Sequence, residues 1–138
     1  MNIAVIYNTK TGHTKLIAEA IAGVFGVEAR NILDKPELNK IDLLFVGTGI
    51  YAGKVTPELT TYLDAINSTM VKKAILFTTS MSPKIQTALL RDFIARKGIE
   101  VLRDEFNCRG KFLFFNGKRP NEQDANNAKE FAKKYLTK

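Results

Sequence analysis

The sequence of 138 residues predicts a three-layer α/β domain, built on a doubly wound, five-stranded parallel sheet of order 2-1-3-4-5. Three observations predict it. Short β-branched runs alternate with stretches of helical period along the whole chain, without repeats or long linkers. The opening run 3–7, Ile-Ala-Val-Ile-Tyr, is apolar throughout, as a strand covered on both faces should be. The connections are short, and right-handed crossovers then leave few topologies, of which this order is the leading one.

Each element follows from its residues. After strand 1 (3–7) and a polar stretch over 8–14, Leu16, Ile17, Ala20, Ile21, Val24 and Phe25 recur at helical spacing up to Gly26. A second strand over 27–32 alternates in polarity and reads as an edge, and the third covers 41–46. Thr56-Pro57-Glu58 is a helix start, with a hydroxyl cap, a proline in the first turn and an acid at the positive end of the dipole. Leu59, Tyr62, Leu63 and Ile66 form its apolar stripe, and strand 4 covers 74–78. Ser82-Pro83 repeats the cap-and-proline start, with Ile85, Leu89, Phe93 and Ile94 as the buried face before Gly98. A fifth strand over 99–106, with a possible resumption at 112–115, leads to a last helix opened by Pro120-Asn121 and buried by Ala125, Ala128, Phe131, Ala132 and Tyr135.

Length fits one domain, 1–138, and 45% apolar residues supply a core. No apolar run is long enough to span a bilayer, and no basic leader precedes strand 1. The single cysteine, Cys108, forms no internal disulfide and reads as a small buried residue, so a cytoplasmic location is expected. The net charge of +7 is uneven: residues 1–69 hold six Lys/Arg against seven Asp/Glu, and residues 70–138 hold fifteen against seven. A basic half fits a solvated face or an acidic partner.

In open parallel sheets ligands bind beyond the carboxyl ends of the strands, where strand order reverses. That directs attention to the segments after strands 1, 3 and 4. The first, Thr9-Lys10-Thr11-Gly12-His13-Thr14, runs from a buried strand into a helix. Unpaired helix amides and the positive dipole end attract phosphate there. Gly12 permits close backbone approach, and three threonines add hydroxyls. No Gly-Lys-Ser/Thr follows, which excludes a Walker-type loop. Tyr7 and Asn8 stand where a response regulator needs acids.

Here the chain resembles the flavodoxin family, whose phosphate loop reads Thr/Ser-x-Thr-Gly-x-Thr after the first strand. All four defined positions match, with Lys10 and His13 at the variable ones. The resemblance covers essentially the whole chain, in the short form without an insertion in strand 5. It implies a flavodoxin-like fold, an FMN held without a covalent bond, and electron transfer with redox partner proteins. It also implies that Thr48, Gly49, Ile50, Tyr51, Ala52 and Gly53 form one flavin-facing loop, with Tyr51 stacking on the ring. Thr79, Ser80, Met81 and Ser82 would form the other. The second loop departs from the family's pattern in having no aromatic, which leaves Met81 to approach the ring. Another departure is charge: classical flavodoxins are acidic, whereas this chain is basic. Nearby cations raise a flavin's potential, so a less reducing FMN and a partner with an acidic surface are expected.

Two other readings compete with the electron carrier. The spacing Gly47-x-x-Ile50-x-x-Gly53 is similar to that of flavodoxin-type protoporphyrinogen dehydrogenases, which suggests an FMN-dependent oxidoreductase of quinone or protoporphyrinogen type. The basic half suggests an FMN-free anion or nucleic-acid binding module. Arg109-Gly110-Lys111-Phe112-Leu113-Phe114-Phe115 faintly resembles an RNA-binding strand, but the βαβ beginning is wrong for that fold, so no nucleic acid is expected. No catalytic triad and no metal cluster is visible, and an electron carrier needs no catalytic side chain.

Overall fold

A computed structural model describes residues 1–9, 12–50, 55–80, 87–109 and 122–136. Five strands, β1 (Ile3–Asn8), β2 (Ala29–Asn31), β3 (Ile41–Ile50), β4 (Val71–Ser80) and β5 (Glu100–Arg109), form one sheet of order β2-β1-β3-β4-β5. Every pair is parallel. Among the described residues four α-helices cover it: α1 (His13–Phe25), α2 (Pro57–Asp64), α3 (Ala88–Ala95) and α4 (Glu122–Lys133). The expected sheet and strand order are the observed ones.

Alternation along the strands divides the core in two. Val5, Tyr7, Leu43, Phe45, Ile75 and Phe77 face α1 and α4, where Ile17, Ile21, Ala128 and Phe131 meet them. Ile6, Leu44, Val46, Ala74 and Leu76 face the other way, against Leu59 and Leu63 of α2 and Leu90 and Ile94 of α3. Helix α2 starts as its sequence requires: the Leu59 N–H donates to the Thr56 hydroxyl at 3.3 Å, with Pro57 at the first helical position.

Several element boundaries differ from expectation. Strand β2 is only three residues long. Strands β3 and β4 each run to ten residues and continue past 46 and 78, because Gly47, Thr48, Gly49 and Ile50 pair in register with Phe77, Thr78, Thr79 and Ser80. Two expected stripe residues face solvent. Leu16 lies one position off the buried Ile17–Ile21 line, and Leu89 one position off the Leu90–Ile94 line, a rotation of about 100° in each case. The expected starts at Ser82-Pro83 and Pro120-Asn121, the buried Ile85 and the 112–115 run lie outside the described residues.

Strand β5 carries an irregularity with consequences on both faces. Ala74 pairs with Val101 and Leu76 with Glu105, so two steps on β4 match four on β5. The Arg91 guanidinium of α3 reaches the carbonyls released there, donating to Leu102 O at 2.7 Å and Arg103 O at 3.1 Å. It also forms an ion pair with Glu105, which accepts from the Thr87 hydroxyl at 3.0 Å as well. The neighbouring Asp104 points to the opposite layer and accepts from Lys134 at 2.5 Å and from the Tyr135 hydroxyl at 2.6 Å.

Candidate functional site

Strand β1 delivers the chain to the carboxyl edge, where Gly12 turns it into α1 in the left-handed region at φ +87°. A residue with a β-carbon is strained there, although the space beyond Gly12 is open. The Gly12 N–H donates to the Thr9 hydroxyl at 3.0 Å, which closes the turn. Glycine offers no capping side chain, and the first turn of α1 contains no acid. The opening amides of a 13-residue helix therefore meet the edge with no carboxylate opposing an anion. In α2, by contrast, Thr56 occupies the cap and Glu58 the first turn.

The Thr14 side chain is turned inward. It is fully buried, and its hydroxyl shares a 2.8 Å hydrogen bond with that of Thr79 on β4. This bond ties the start of α1 to the end of β4 over 65 residues of sequence. His13 is half-buried and Thr9 half-buried. On the outer flank, a cleft of about 430 Å³ between α1 and β2 is lined by Tyr7, Lys15, Glu19, Glu28 and Asp34. Its acids give it the wrong sign for phosphate. Burial first, then Glu19 and Asp34, push the Tyr7 hydroxyl above its ordinary value.

A feature the sequence reasoning missed crosses the sheet at one level. Asn8, Thr48, Thr78 and Asn107 are in register on four adjacent strands, so their side chains share the α2/α3 face. The Thr56 hydroxyl donates to the Asn8 side-chain carbonyl, which fastens the start of α2 to the end of β1. Thr78 donates to Asn107 at 2.6 Å, and Thr48 donates to the Gly49 carbonyl at 2.9 Å. The signal was present in the sequence: β1, β3 and β4 each pass from apolar to polar within two residues, at Ile6 to Asn8, Val46 to Thr48 and Leu76 to Thr78. Among the described residues no buried side-chain nitrogen or oxygen lacks a hydrogen-bond partner.

The candidate residues thus divide into three groups. Thr9, Gly12, His13 and Thr14 gather where β1 becomes α1. Thr48, Gly49, Ile50, Thr79 and Ser80 stand at the same edge, but as paired strand ends rather than loops. Lys10, Thr11, Tyr51, Ala52, Gly53, Met81 and Ser82 lie outside the described residues. Gly47 serves the strand itself: a β-carbon there would collide with the Phe77 ring, so its lack of a side chain accommodates that ring.

The family described as "Flavodoxin domain" matches residues 4–114. This chain belongs to it. An uncharacterized protein of Methanocaldococcus jannaschii is 38% identical, with 90% of each chain aligned. The structure of a flavodoxin from the domain Archaea superposes with a TM-score of 0.73 at 18% identity, covering 96% of this chain and 94% of that one. Flavodoxin 2 from Bacillus cereus gives 0.69 at 15% identity, covering 96% and 95%. These last two likenesses concern the fold. Within this flavodoxin domain the strand order, the β1–α1 turn and the polar strand ends coincide at one edge. Among the described residues no group of three His, Cys, Asp or Glu gathers to hold a metal, and no helix is long and apolar enough to cross a membrane.

Proposed function

We propose that this flavodoxin-domain chain binds one FMN, without a covalent bond, at the carboxyl edge of its sheet and carries electrons between redox partners in the cytoplasm. The observation that supports this reading is the start of α1. A left-handed glycine, a threonine hydroxyl and uncapped helix amides converge there with no acid in the first turn. The phosphate would rest on those amides and on Thr9 and Thr11, with Lys10 and His13 flanking it. Thr14 contributes through its backbone, since its hydroxyl holds Thr79. The ring would lie between the segments 48–53 and 79–82, with Tyr51 as its aromatic contact and Met81 at its edge. Bound flavin supplies the redox chemistry, and the chain's residues bind it, orient it and set its surroundings.

Charge supports a partner with an acidic surface. The segments that follow β1, β3, β4 and β5 in sequence (9–12, 51–56, 81–87 and 110–121) contain six Lys/Arg and no Asp/Glu. Six of the seven net charges therefore fall in the connections that leave the carboxyl ends of strands.

The test is an absorption and fluorescence titration of the purified chain with FMN. Saturation at one FMN per chain, with quenched flavin fluorescence, is expected. FMN that remains free overturns the reading. Steady turnover of NAD(P)H with a small acceptor and no partner reductase would replace the carrier with an FMN oxidoreductase.

A further inference from the structure

At the amino-terminal edge of the sheet, opposite the flavin-facing edge, the starts of β3 and β4 and the irregular part of β5 leave a cavity of about 700 Å³ below the end of α4. Its floor and walls are apolar, from Met1, Leu43, Leu102 and the Tyr135 ring. Its charged lining is Lys72, Lys73 and Lys134 against Asp42. Two of these cations are occupied: Lys134 by Asp104 at 2.5 Å, and Lys72 by Asp42 at 3.5 Å. Asp42 also accepts from the Asn2 N–H at 2.7 Å, a bond that holds its carboxyl below the ordinary range. Lys73 is exposed, stands beside Leu43 in register, and its ammonium forms no hydrogen bond or ion pair among the described residues.

We propose that this cavity binds a small organic anion with an apolar body, a carboxylate or sulfonate on a ring or short chain, with Lys73 holding the anionic head. The volume lies in the range of small-molecule sites. The apolar walls reward burial of the body, and an unpaired ammonium gives a charge-assisted hydrogen bond to the head. A cation would meet three lysines, and a neutral head would leave Lys73 unused. Leu43 and Ile50 are seven residues apart on β3, about 23 Å at 3.3 Å per residue, so this site and the flavin edge are separate.

The probe is 8-anilinonaphthalene-1-sulfonate, titrated by fluorescence into the full chain with and without FMN and displaced by octanoate or octanol. One saturable site of equal affinity in both series is expected, with octanoate displacing the probe at least about tenfold better than octanol. Lys73→Glu weakens the probe at least about tenfold, Lys73→Arg keeps it within about threefold, and neither changes the melting temperature or the flavin titration. Expulsion of the probe by FMN, equal displacement by octanol, or native affinity in Lys73→Glu would each overturn the proposal. Because the apo series stands alone, failure of FMN binding does not decide this test.

Discussion

Gly47 and Phe77 face each other across β3 and β4, and the ring occupies the space a side chain at 47 would need. Gly47→Ala therefore overfills a close-packed layer, at a cost of about 1–3 kcal/mol. Chemical denaturation should show that loss, and Phe77→Leu in the same chain should recover most of it, the coupling expected of residues in contact. Tyr62 offers a second test. Its hydroxyl donates to the Pro36 carbonyl at 2.5 Å, and burial pushes it up from 10.0 to about 12. A raised folded-state value means the contribution is complete below pH 10 and is lost as pH rises toward 12. Melting temperature should fall over that window, and Tyr62→Phe should remove the part due to this residue. Asp104 works in the other sense. Burial opposes its ionisation, but the bonds from Lys134 and Tyr135 outweigh that and hold it below its ordinary value. Its contribution is present above the unfolded value and fades as pH drops through the folded one.

At the scale of the element, Arg91 joins α3 to the irregular stretch of β5. Arg91→Ala leaves two carbonyls without their donor and takes the guanidinium from the Glu105 carboxylate, which keeps the Thr87 hydroxyl, at a cost of about 2–3 kcal/mol. Arg91→Lys should recover only part of that midpoint shift, because an ammonium lacks the planar fork that reaches all three acceptors. Nothing in the run 99–106 announces this arrangement; it depends on a register shift between distant strands. The start of α2 was fully legible, because Thr56, Pro57 and Glu58 act locally. The ends of β3 and β4 were not. Gly47, Thr48, Thr79 and Ser80 carry loop-like composition, and only the backbone ladder between the two strands makes them sheet. The motif 9–14 was legible as a helix start, yet the inward turn of Thr14 was not, because its partner Thr79 is on another strand.

For the whole molecule, strand order could be read because alternation and crossover handedness leave few solutions. The distribution of charge has a kinetic consequence. With six cations in the connections that follow the strands' carboxyl ends, the protein loaded with chemically pre-reduced flavin should reduce anionic ferricyanide faster than cationic hexaammineruthenium(III) at matched driving force. Added salt should slow the first reaction and speed the second. Stopped-flow rates at two ionic strengths check this, and equal salt responses would contradict it.

The irregular turn of β5 sends consecutive carboxylates, Asp104 and Glu105, into opposite helical layers. Shear that lifts the last helix must drag on the strand that also grips α3. Amide protons of α3 and α4 should then exchange with deuterium as one cooperative unit, sharing a single opening free energy although a sheet lies between them.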